Sequence, residues 1–184
     1  MTLRDMVAEI DGSYGNRYQA AQKDILRFLD IAQKAAFCHD CRAFERTAPL
    51  ISFENNWYEF PKDARQIISA NFPEYEIDLF GRRIYFSRQI PNPEARYYLR
   101  PQTLTGTELE SGEMEFTEDD ESKVIIPDEW RWQTLGQPAI AMLESGLYGD
   151  KTPQSYLESY FREFWEAMNA RPNNRQPVVS LGAW

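Results

Sequence analysis

The side chains best suited to metal or redox chemistry stand together in one place, Cys38-His39-Asp40-Cys41, and the chain holds no other cysteine or histidine. A CxxC pair binds structural zinc when about four ligands close a tetrahedron. Three adjacent candidates without a second Cys/His pair fall short of that. A redox CxxC opens a helix that follows a strand, whereas this one falls near the end of an expected helix, where the dipole disfavours a thiolate. The reading is a reduced, partly buried pair, with zinc or redox use as the alternative. It fits assembly in a reducing compartment. A single histidine leaves a Ser–His–Asp triad few ways to form, and no GxxxxGK[ST] loop, GxGxxG turn or HExxH helix occurs. No catalytic residue, cofactor site or metal site is expected.

Carboxylates are the other candidates for chemistry. Eight of them, Glu108, Glu110, Glu113, Glu115, Glu118, Asp119, Asp120 and Glu121, crowd one stretch without an intervening base. The whole chain carries 29 acids against 20 bases, a net charge of -9. Outside that stretch the two signs nearly balance. Nothing marks two of these acids as a buried pair with divided pKa values, and the DxDxDG pattern of a calcium loop is absent. A solvated charged segment is the expectation. The acidic balance argues against a coat for duplex DNA, which needs clustered Lys and Arg.

Elements must position these groups. A chain of 184 residues, 42% hydrophobic and 14% aromatic, suits one domain, or one domain with an arm. No apolar run reaches the roughly 20 residues of a membrane span, and no signal-peptide core opens the sequence. Leu3, Met6, Val7 and Ile10 predict a short helix over 2–10 with Thr2 as cap. Gly12, Ser13, Gly15 and Asn16 break it. A longer helix is expected over 17–37, with Ile25, Phe28, Leu29, Ala32 and Ala36 as its apolar stripe and Lys23, Arg27 and Lys34 on its wet side.

The middle reads as strands. They include segments around Pro49, Trp57–Phe60 after an Asn55-Asn56 turn, a stretch over 64–72 with Ile67 and Ile68, and 96–100. A hairpin with a Gly81 turn joins 76–80 to 84–86. Met114–Phe116 and Lys123–Ile126 are expected to pair across 117–122. That would make an arm with an acidic tip, presenting Glu113, Glu115, Glu118, Asp119, Asp120 and Glu121 to a partner. Pro127-Asp128-Glu129 starts a helix that Pro138 must kink or split, and that Gly146 and Gly149 stop. Thr152 and Pro153 start the last one. Its stripe of Tyr156, Leu157, Tyr160, Phe161, Phe164, Trp165 and Met168 is core or subunit contact. Beyond Arg171, a Pro- and Asn-rich linker leads to Val178, Val179, Leu181 and Trp184, an apolar tail suited to docking on a neighbouring subunit or another protein.

Four stretches resemble the head–tail adaptor proteins of tailed bacteriophages. Gln22-Lys23-Asp24-Ile25-Leu26-Arg27-Phe28-Leu29-Asp30-Ile31-Ala32-Gln33 is similar to their D-L-L-R-Y-L-N-E-A-Q helix. Trp57-Tyr58-Glu59-Phe60-Pro61-Lys62-Asp63-Ala64-Arg65-Gln66-Ile67-Ile68 resembles Y-x-L-P-x-D-x-x-x-I. Tyr97-Tyr98-Leu99-Arg100-Pro101-Gln102-Thr103-Leu104-Thr105 resembles Y-x-R-x-P-x-x-L-T, and Ile125-Ile126-Pro127-Asp128-Glu129-Trp130 resembles I-P-D-E-Y. They occur in the same order with comparable gaps and touch most of residues 1–170. The departures are Gly136-Gln137-Pro138, inside a helix that is usually continuous, and the acid-rich 108–121.

The resemblance implies an α+β, mainly helical protein. Its helical bundle body would carry an inserted small antiparallel β region and an extended C-terminal tail. Residues 1–42 and 127–170 would form the bundle, 43–126 the β region with the acidic arm, and 171–184 the tail. It implies a structural protein of the virion neck, assembled in the host cytoplasm. Such a protein forms a ring, commonly of twelve subunits, between the portal protein and the tail or nozzle protein. Viral DNA passes through its channel without sequence-specific binding, and neither catalysis, cofactor nor membrane is involved. The alternatives are an acidic protein-binding module that mimics DNA, and a small hydrolase using two of the carboxylates.

Overall fold

The computed structural model describes residues 1–37, 44–145 and 154–170, the side chains of 154–156 excepted. Cys38, His39, Asp40 and Cys41, the helix-start residues Thr152 and Pro153, and the tail residues Val178, Val179, Leu181 and Trp184 lie outside that range. The expected helical bundle is not what forms. The chain is α+β, with about 45% helix and 23% strand, the strands lying in three antiparallel sheets. The middle of the chain alternates apolar and polar residues with period two over several short runs, the pattern of half-buried antiparallel strands, and this is why a sizeable part of the chain is sheet.

Helix α1 (Leu3–Ile10) starts where a capping box fixes it. Thr2 Oγ1 accepts from Asp5 N at 3.1 Å, and Asp5 Oδ2 accepts from Thr2 N at 2.9 Å. Leu3, Met6, Val7 and Ile10 are buried, each at 1% exposure or less. The glycines that follow do not end the helix as expected. The chain widens into a π turn over Asp11–Gly15, passes into α2 (Asn16–Tyr18) and stops at Gln19, whose φ is 52°. A Cβ at Gly15 would sit 2.3 Å from Asp11 Oδ1, so a larger residue there would have to displace that carboxylate. The expected helix over 17–37 is therefore two pieces, and its main part is α3 (Gln22–Ala36). Ile25, Phe28, Leu29, Ala32 and Ala36 are buried, and Lys23, Arg27 and Lys34 are exposed.

Nine strands follow among the described residues. Strand β1 (Glu45–Pro49) pairs with β7 (Glu94–Leu99), and β7 pairs with β4 (Ala64–Ala70), giving the order β1-β7-β4. Pro49 sits on an edge strand, where its missing N–H costs no ladder bond. Just past Leu50 the chain crosses into a second sheet, ordered β2-β3-β6-β5. Its strands are β2 (Ile51–Ser52), β3 (Trp57–Glu59), β5 (Tyr75–Asp78) and β6 (Arg83–Phe86). The β2–β3 turn is made by Asn55 and Asn56, with φ of 48° and 65°, the left-handed pair that a two-residue hairpin needs. Strand β8 (Thr107–Glu108) pairs with β9 (Met114–Glu115) as a small third sheet.

That pairing corrects the expected arm. Met114 and Glu115 turn back onto 107–108, and Glu118–Ser122 is not a strand-to-strand tip but a short helix, α4. Then α5 (Asp128–Arg131), a π turn over Trp132–Gly136, and α6 (Gln137–Ser145) form one continuous run. Pro138 can donate nothing to the carbonyl four residues back. The wider turn just before it absorbs the proline, with Gln137 N donating to Trp132 O. Trp132 lies over Gly136, where a Cβ would come within 2.5 Å of the ring.

The last helix, α7 (Gln154–Ala170), buries Leu157, Phe161, Phe164, Trp165 and Met168. Phe164 meets Phe44 and Trp130, with ring centroids 5.8 Å and 5.7 Å away, and Trp165 Nε1 donates to Ala36 O at 3.0 Å. Each such side chain stabilises the fold by about 1.5–3 kcal/mol through burial.

Candidate interaction surfaces

Strong local preferences explain why the acid-rich segment folds. Thr117 caps α4 and Asp120 returns the bond. Thr117 Oγ1 accepts from Asp120 N at 3.2 Å, while Asp120 Oδ2 accepts from Thr117 N at 3.0 Å. The hydroxyls of Thr105 and Thr117 also donate to Asp120, and Lys123 Nζ sits 3.1 Å from it. The Thr105 hydroxyl above all, then the Thr117 contacts, hold the Asp120 carboxyl far below the usual range. Asp119 and Asp120 hold the Lys123 ammonium above its usual pKa. Asp120 is only 7% exposed.

Glu121 reaches further. Its two oxygens accept from Leu3 N at 2.6 Å and Arg4 N at 3.0 Å. Those are two unpaired donors at the N-terminus of α1, where the helix dipole also favours an anion. Arg4 answers by donating to Phe116 O at 2.9 Å. Next to this junction, Asp30 on α3 accepts from Leu104 N at 2.9 Å. Gln33 donates to Gln102 O and Lys123 O, at 3.1 Å and 3.0 Å. Arg131 donates to Ile126 O, Val124 O and Met1 O. The segment from 102 to 126 is thus a clasp across the ends of α1 and α3.

The six acids expected to face a partner therefore divide. Asp120 and Glu121 are spent inside the chain. Glu113, Glu115 and Glu118 are exposed, and Asp119 keeps 81% of its side chain in solvent while pairing with Lys123 at 2.9 Å. Of the helix residues expected to pack or touch a subunit, Phe161, Phe164 and Trp165 are buried within this chain and Tyr160 is half-buried. Tyr156 lies among the undescribed side chains. An ionised Asp120 with its lone pairs occupied is poorly placed as a general acid, which needs a raised pKa. Among the described residues no group of three or more His, Cys, Asp and Glu could hold a metal ion. No helix among them is long and apolar enough to cross a membrane.

Sequence reasoning missed the largest apolar exposure among the described residues. At the tip of the β5–β6 hairpin, Leu79 is 74% exposed and Phe80 is wholly exposed at 103%. Asp78 makes the turn, its Oδ1 accepting from Phe80 N at 3.1 Å and Gly81 N at 3.0 Å. That geometry pushes Leu79 and Phe80 out of the strand and into water. The signal was present as Asp78 three residues before Gly81, an Asx turn that ends the alternation at Asp78 and not at Phe80. On the same sheet Ile51, Phe53 and Ile77 are also exposed. Arg83 stacks over Phe53 at 3.7 Å, and Arg82 donates to Ala64 O and Pro61 O, at 2.8 Å and 3.2 Å. Both tip-side guanidinium groups are engaged within the chain. Comparison with known protein families, with curated proteins and with solved structures finds no match for this chain.

Proposed function

We propose that this chain is a non-catalytic assembly protein, a head–tail adaptor that forms a ring, commonly of twelve copies, between a portal protein and a tail or nozzle protein. The observation that carries the reading is the Leu79–Phe80 tip: two large apolar side chains held in water by a turn that the Asp78 carboxylate closes. Such a tip is disadvantageous to a free chain and useful as an anchor in a partner's pocket. The four stretches that resemble the adaptor family supply the identity of the assembly. In this reading the exposed acids of 108–119 line a passage that repels phosphate, or steer a basic partner. The tail residues Val178, Val179, Leu181 and Trp184 dock on an adjoining subunit.

The two alternatives fare less well. A DNA mimic needs its carboxylates free and spread over a face, and Asp120 and Glu121 are taken up as caps. A hydrolase needs one carboxyl with a raised pKa, and Asp120 is shifted the other way. Electron microscopy of portal-containing particles mixed with the purified chain tests the proposal. A ring beneath the portal is expected; particles that leave the chain in the supernatant would sink it.

A further inference from the structure

We propose that the outer edge of β5, together with the Leu79–Phe80 tip, receives residues 177–184 of a neighbouring copy of this chain as an added strand. This rests on the ring-forming part of the proposed function and does not need the virion assignment.

Three features of the second sheet define the receiving side. In the order β2-β3-β6-β5, β5 is an end strand, and among the described residues it pairs with β6 alone. Its free backbone groups are a template for another strand. It is also acidic, with Glu74, Glu76 and Asp78 along four residues and their flank. Asp78 is committed to the turn, while Glu74 and Glu76 are exposed and form no ion pair among the described residues. Like charges facing each other oppose β5 pairing with β5 of another copy. A strand without acids is admitted. Finally, the apolar Ile77, Leu79 and Phe80 continue along this edge, and a hollow of about 220 Å3 lined by Glu74, Tyr75, Glu76, Tyr85 and Ser87 lies beside it.

The chain carries a segment that answers each feature. Residues 171–184 contain Arg171 and Arg175 and no acid. Both arginines lie in the linker just before 177–184, where their charge is opposite to that of Glu74 and Glu76, and the docking stretch itself carries no acidic side chain. Val178-Val179-Ser180-Leu181 is rich in β-branched residues, and alternate positions would face the sheet's two sides. Trp184 is of the type that fills interface hollows. Pro172 and Pro177 bracket a linker that holds Arg175, with Arg171 just before it, and such a linker spans at most about 3.3–3.6 Å per residue. A tail that leaves one copy and a tip that waits on another make two different surfaces, the heterologous contact that closes rings. A lipid surface is the weaker occupant, because the tip's two arginines are engaged inside the chain and the edge beside it is anionic.

Sedimentation velocity of three full-length chains tests this. One is the wild type, one carries Leu79→Ser and Phe80→Ser, and one carries Val179→Asp and Leu181→Asp. The wild type is expected to self-associate as concentration rises, and each variant to associate about tenfold or more weakly. An equimolar mixture of the two variants is expected to stop at a dimer, since it holds a single intact tip–tail junction. Far-UV circular dichroism verifies that both variants fold. As a second arm, Glu74→Lys with Glu76→Lys should weaken association, and Arg171→Glu with Arg175→Glu on the partner copy should restore it. A tail variant that assembles like the wild type overturns the inference and leaves the ring reading standing. A wild type that stays monomeric up to millimolar concentration removes both.

Discussion

The acid-rich clasp and the second sheet face opposite problems. The clasp gathers charge that ought to be solvated, and it satisfies that charge internally. Asp120 caps its own helix and Glu121 caps another one, 118 residues away in sequence. The second sheet gathers apolar side chains that ought to be buried, and leaves Leu79 and Phe80 in water. Where carboxylates are abundant the chain has used the most deeply placed ones for its own stability. Where hydrophobic area is in excess it has found no internal use. In the proposed function the contact surface therefore follows unsatisfied apolar area and not charge density.

The comparison depends on a body that holds both regions, so the largest effect is expected there. Phe161→Ala removes a ring buried at 0% exposure and should lower unfolding free energy by about 3–5 kcal/mol in denaturant titration. A loss below 1 kcal/mol would mean that α7 is not part of the cooperative unit. The clasp comes second. Asp120→Ala deletes a cap and strands the Thr117 and Thr105 hydroxyls, for about 1–2 kcal/mol. Glu121→Gln keeps size but weakens the charge at the start of α1, for about 0.3–1 kcal/mol. If both prove neutral, the clasp is ornament and its acids are available to a partner after all.

Some of this was legible in the sequence. The Thr2 cap and the Leu3, Met6, Val7, Ile10 stripe are local signals, and α1 follows them. Asn55-Asn56 and Gly81 marked both hairpin turns because turn chemistry is written in two or three adjacent residues. The helix at Glu118–Ser122 was hidden by its lack of any apolar residue, although Thr117-x-x-Asp120 is a capping pattern. The partner of Glu121 was invisible, because nothing near residue 121 encodes the α1 terminus. Pro138 spoke clearly for a break, yet a single π turn accommodates it. The expectation of a bundle failed for a related reason. Helical stripes are long and conspicuous, while strands of two or three residues such as β2, β3 and β8 are too short to show a period and are defined only by their pairing.

Acid titration sharpens the contrast further. The Asp120 carboxyl has a lower pKa in the folded chain than its ordinary 3.8. Its stabilisation is therefore full above that value and is lost as pH falls below it, because the unfolded chain then binds the proton more readily. Asp5, held down by the Thr2 backbone N–H, acts in the same direction. The wild type should lose stability as pH drops from about 4 towards 2, and Asp120→Asn should flatten that slope. An unchanged slope in the variant would assign the acid sensitivity elsewhere.

The smallest expected effect is the most discriminating. Leu79→Ser with Phe80→Ser alters side chains that touch little within the chain, so unfolding free energy should stay within about 0.5 kcal/mol of the wild type. Replacing exposed apolar area by hydroxyls does not remove buried surface, and the turn is held by the Asp78 carboxylate and backbone N–H groups that this double variant keeps. The clasp gives the opposite pattern, since Asp120→Ala should cost stability and leave association unaffected once the chain is folded. A tip that proves as costly to replace as a cap would mean that Leu79 and Phe80 serve the fold, and the second sheet would then lose its claim to be the contact surface.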